Sequence, residues 1–111
     1  MEGADPSPAK TALAERIVSA GFALPTLQGL GADHLKDLKT LMAKQQQFRA
    51  GILGALNGSF KLLSSLTTED LSEAATDAAP HTTYMTPEQG GVFYVEELVR
   101  YALMKISSLD A

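Results

Sequence analysis

The sequence predicts an all-α protein: a small four-helix domain with one long central helix, paired as a dimer. Three observations predict it. Apolar residues recur at three- and four-residue steps, as in Leu38, Leu41, Met42, Phe48, Ile52 and Leu56. Two segments open with helix-capping signatures, Thr67 with Asp70 and Thr86-Pro87-Glu88-Gln89. The 111 residues, 45% hydrophobic and 20% charged, make one ordinary globular domain. A domain of this size buries only about 60–70% of its unfolded surface, so pairing with another chain is a common remedy.

Residues 1–7 are read as a disordered N-terminus, and 8–111 as a single helical domain. Ser7 followed by Pro8 supplies a hydroxyl N-cap with proline at the first helical position. Leu13, Ile17 and Val18 then share one face, and Gly21 fits the position just past the end, which predicts a first helix over 8–20. In "FALPTLQGLGAD", Pro25, Gly29 and Gly31 break any regular element, and the leucines are expected to pack across the top of the core.

Asp33 can cap a second helix. Leu35, Leu38, Leu41, Met42, Phe48, Ile52, Leu56 and Leu63 fall within a band about 140° wide on a helical wheel. A continuous helix over 33–65 would be about 50 Å long, which is long for this domain, and the sequence leaves open whether it continues through Gly58 or bends or breaks near "LNGS". Gly51, Gly54 and Gly58 lie opposite the apolar band, each at a cost of about 1 kcal/mol against alanine. Two explanations compete. Asn57-Gly58 ends the helix and the other glycines are tolerated on the surface, or the three form a flat strip where another helix approaches closely.

"LTTEDLSEAATDAAP" reads as a short acidic third helix. Thr67 and Asp70 form its capping box, Leu66 staples to Leu71, and Pro80 terminates it. The fourth helix begins at Thr86-Pro87-Glu88-Gln89 and runs to about Ser107. Val92, Val95, Leu98, Val99, Ala102, Leu103 and Ile106 are its expected core face, and Glu96 with Arg100 its expected i,i+4 pair. Phe93, Tyr94, Tyr101 and Met104 lie elsewhere on the wheel, so the helix is apolar almost all round and calls for burial on more than one side. Phe93, Tyr94, Tyr101 and Met104 are therefore candidate anchors for a partner, with Glu97 and Arg100 as a polar rim. Gly51, Gly54 and Gly58 form a second candidate surface.

Charge is uneven. Residues 33–66 sum to +3 (five lysines and arginines against two aspartates) and residues 67–111 to −6 (Arg100 and Lys105 against eight acids), within a net −4. No basic face free of acids is present, which argues against nucleic-acid binding. Without cysteine there is no disulfide, thiolate nucleophile or cysteine-rich metal site. The start "MEGADPSPAK" has acids and prolines where a signal peptide has a basic end and an apolar core, so a cytoplasmic protein is expected. His34 and His81 have no ligand spacing around them, and Gly90-Gly91 does not follow a strand. The reading is of a non-enzyme, with no catalytic residue, no metal site and no cofactor.

In size, helix content and absence of catalytic motifs, the chain resembles the small bacterial antiactivators that sequester quorum-sensing transcription factors. The likeness is one of general character over the whole length. It implies a homodimeric, protein-binding regulator that covers a surface its partner, a transcription regulator, needs for dimerisation. A secretion-type chaperone or assembly adaptor would look the same. A membrane-surface protein is a further reading, since "FRAGILGALNGSFKLL" is an apolar, glycine-rich stretch flanked by Arg49 and Lys61, although the acidic net charge argues against it.

Overall fold

The structure, a computed structural model, describes residues 8–28 and 38–110, with side chains to Ser107. The expected disordered N-terminus, the Ser7 and Asp33 caps, Leu35 and His34 lie outside the described residues. The fold is all-α, but not with four helices. Six α-helices occur among the described residues: α1 (Pro8–Ala20), α2 (Pro25–Gln28), α3 (Leu38–Ala55), α4 (Phe60–Leu63), α5 (Thr68–Ala78) and α6 (Pro87–Asp110).

α1 has the expected bounds and buries Leu13, Ala14, Ile17 and Val18. Gly21 is not a simple end cap, because the chain continues as a 3-10 turn over Gly21–Ala23. Its bare Cα is needed for packing: a Cβ there would lie 2.6 Å from the Phe48 ring and 2.9 Å from that of Tyr94. The turn and Pro25 then start α2, a single helical turn where only a loop was expected. Proline is favoured at a helix's first position because its missing N–H would be unsatisfied there anyway. Leu24 and Leu27 enter the core, as their expected packing required.

The expected long helix is broken, at the "LNGS" stretch where the sequence left its continuity open. α3 gives way to a 3-10 turn over Leu56–Gly58, and Ser59 starts α4. The break redirects the chain so that Leu63 joins Phe48, Ile52 and Leu56 in the core. Leu38 and Met42, assigned to the same band, are instead exposed. Among the described residues the longest helix is thus α6, not a central one.

Both capping boxes are formed. The Asp70 backbone N–H donates to Thr67 Oγ1 at 3.0 Å, and that of Thr67 donates to Asp70 Oδ2 at 2.9 Å. Thr86 and Gln89 exchange the same pair of bonds, each 3.1 Å long. α3 and α6 form the most extensive helix pair, with α5 also against α6, and α1 against α3 and α5. Polar ties close the assembly. Arg49 pairs with Glu15 through two nitrogens, at 3.0 and 2.9 Å, and Arg16 donates to the Leu66 carbonyl oxygen at 3.1 Å.

Candidate interaction surface

The α3–α6 crossing decides which side of α6 faces outward. A Cβ on Gly51 would run into the backbone carbonyl of Glu88, and one on Gly91 would lie 2.5 Å from the Phe48 carbonyl oxygen. Each helix therefore contributes a glycine to one backbone-to-backbone approach. Gly51 is buried by this crossing, whereas Gly54 and Gly58 are exposed and have no atom within 4 Å of a Cβ position. The three glycines are not one surface. Gly51 serves an approach within the chain, so it is withdrawn as a residue that meets a foreign helix.

With Gly91 inward, Tyr94, Val95, Leu98 and Ala102 are buried. Tyr94 is fully enclosed. Its ring stacks on Phe48 (centroids 6.1 Å apart, planes at 9°), and its hydroxyl donates to the Leu71 carbonyl oxygen at 2.7 Å. Burial pushes its phenol pKa far above the ordinary value. Tyr94 is a core residue, which corrects its assignment as a surface anchor.

The other candidates lie around the rim. Phe93 is half-buried beside the His81 ring, 5.3 Å between centroids. Tyr101 is half-buried and donates to a Glu73 carboxylate oxygen of α5; this bond holds the phenol protonated well above its usual range. One turn on, Lys105 Nζ lies 2.8 Å from Asp70 Oδ2, tying the end of α6 to the α5 cap. Arg100 pairs with Glu97 rather than with the expected Glu96. Met104 is exposed, with its sulfur 3.8 Å from Arg100 Nη1. Glu97, Arg100, Tyr101 and Met104 therefore lie close together over the α5–α6 groove, while Gly54 and Gly58 belong to α3 and the turn after it.

Besides Met104, the uncovered apolar residues of α6 are ones assigned to the core. Val92, Leu103 and Ile106 are exposed at 36%, 53% and 45%, and Val99 is half-buried. Taken with Glu96, they make a stripe at 92, 96, 99, 103 and 106, the alternating four- and three-residue step of a helix that packs along another helix. The wheel was misjudged because a glycine adds no side-chain hydrophobicity, yet Gly91 marks the most deeply packed side. Glycines on two helices (Gly51 with Gly90-Gly91) were the signal that would have placed this crossing. Beside Val92 the surface is a groove of about 560 Å³ lined by Met85, Glu88, Gln89, Val92, Phe93 and Glu96, enough for several side chains of a partner.

No group of three or more metal-ligating residues occurs among the described residues, and His81 is an exposed ring against Phe93 with no acid or base positioned on it. No described helix is long and apolar enough to cross a membrane. Comparison with known proteins found no matching family model, no similar curated protein and no similar solved structure.

Proposed function

We propose that this chain is a non-enzymatic, protein-binding regulator that acts by occupying a partner's surface through the outward face of α6, as an antiactivator does when it sequesters a transcription factor. The supporting observation is the exposed stripe of Val92, Leu103 and Ile106 with the adjacent Met104. Large aliphatic side chains spaced to receive a helix lose hydration cost when covered, and contiguous exposed apolar patches mark interaction sites. The membrane-surface reading loses its support, because Phe48, Ile52, Leu56 and Leu63 of the stretch that suggested it are all in the core.

The test is a photo-crosslinking residue placed at 103 or 104 in cells that make the protein, with position 54 as the control. One dominant adduct at 103 and 104, absent at 54 and lost when Ile106→Asp is added, is the expected result. Labelling no stronger than at 54 would remove the interface. Self-association, expected from the sequence, is measured by light scattering after size exclusion: a homodimer that leaves this face to another partner keeps twice the monomer mass in Leu103→Asp, and a fall to the monomer mass would place the self-interface on this face instead.

A further inference from the structure

Three features of the α6 stripe restrict what can lie on it. The first is its spacing. In heptad terms Val92, Val99 and Ile106 occupy d positions and Glu96 and Leu103 occupy a positions, so the seam fits a helix. The second is its charge. Glu88, Val92 and Glu96 form one i,i+4 row, and neither glutamate has a hydrogen bond or ion pair among the described residues. Of the other described acids, Glu15, Asp70, Glu73 and Glu97 are engaged by an arginine, lysine or tyrosine, and Glu69 and Asp77, which also have no hydrogen bond or ion pair, do not lie on the stripe. The nearby cation, Arg100, is held by Glu97.

The third feature concerns a second copy. Parallel self-pairing would set Glu96 against its own symmetry mate. Antiparallel self-pairing, in which a layers against d, would set it against Val92, Val99 or Ile106. Either arrangement sets the Glu96 carboxylate against another acid or an apolar residue, and the one cation flanking the seam among the described residues, Arg100, already pairs with Glu97. Burying a charge without a partner of its own is strongly disfavoured. A helix that brings its own lysines or arginines beside an apolar stripe meets both requirements at once.

Resting on the proposed function, we infer that the partner presents a basic amphipathic helix, its apolar stripe seated on Val92, Val99, Leu103 and Ile106 and its lysines or arginines reaching Glu88 and Glu96. Charge complementarity of this kind selects the partner and its direction along the seam as well as adding affinity.

The probe is a fluorescein-labelled 21-residue helix with leucine at a and d and lysine at e and g, compared by anisotropy with the same helix carrying glutamate at e and g. The expected result is binding of the lysine helix at least tenfold tighter than the glutamate helix in 50 mM salt. Raising the salt should weaken that preference, because exposed ion pairs are screened. Glu88→Gln with Glu96→Gln should reduce the preference to threefold or less, and Leu103→Asp should abolish binding of both helices while circular dichroism stays native. Equal affinity for the two helices, or a preference untouched by the double glutamine variant, overturns the basic-helix inference and leaves the α6 face standing as an interface. Failure of both helices to bind also overturns it, and the crosslinks at 103 and 104 then decide separately whether the proposed function survives.

Discussion

A single methyl group distinguishes the glycines of α3. At Gly54 it would meet open space, and at Gly51 it would meet the backbone of α6. The reciprocal position, Gly91, is as tight, with the Phe48 carbonyl oxygen 2.5 Å from a Cβ. Backbone cannot rotate away as a side chain can, so the two helices must separate to admit alanine. Gly91→Ala is expected to lower stability by about 1–3 kcal/mol, the cost of overpacking a filled site. Gly54→Ala should raise it by about 1 kcal/mol, since only helix propensity changes there. Urea unfolding reads both, as midpoints moving in opposite directions at constant slope. Two midpoints moving upward would mean that the crossing is looser than its geometry.

At the scale of one element, α5 is organised around Asp70. Its carboxylate accepts the Thr67 backbone N–H and meets the Lys105 ammonium. The lysine first, then the cap, lowers its pKa from 3.8 to about 2. A carboxyl whose folded pKa is depressed adds stability above its unfolded value and loses it as pH falls through the folded one. The stabilisation from Asp70 is therefore complete above about pH 5 and fades toward pH 2. Asp70→Asn should be less stable than wild type at pH 7, and the two unfolding curves should converge between pH 4 and 2. A constant difference across that window would show that the charge of Asp70 is not what stabilises the helix start. Elements of this kind were legible in the sequence, because a capping box is a contact over three residues and needs no tertiary knowledge. α1 and the start of α6 were legible for the same local reason, whereas Asn57-Gly58 marked a site for a break without deciding it, because asparagine and glycine are tolerated on a helix surface as well as at its end. The α2 turn was missed because Pro25 reads both as a breaker and as a first helical residue, and only the 3-10 turn before it decides between them. The orientation of α6 was missed because it depends on a crossing with α3, forty residues away, through residues that have no side chain.

Across the whole molecule, the shortest dimension is 20 Å, against 48 and 40 Å for the others. That is about two helix diameters, so among the described residues a helix packed on α3 and α5 has no third layer to cover its outer side. The consequence is graded along α6. Through Ala102 it is anchored by buried residues, whereas Leu103, Met104, Lys105, Ile106 and Ser107 are all exposed. Opening that end uncovers no core side chain among residues 103–107 and breaks chiefly the Lys105–Asp70 pair, which as a partly exposed ion pair is worth about 0–1 kcal/mol. Local opening free energies follow buried contact. Amide hydrogens at 95–102 should therefore exchange only on global unfolding, while those at 106–110 should exchange faster by orders of magnitude. Adding the lysine-bearing helix should slow both groups, the first because binding to the native state raises global stability and the second because the opened end cannot hold the helix. Residues 106–110 left unchanged would place the helix elsewhere. Protection that is uniform along α6 without any partner would mean that its outer end is already held, and that the exposed stripe is not where the molecule waits for a second chain.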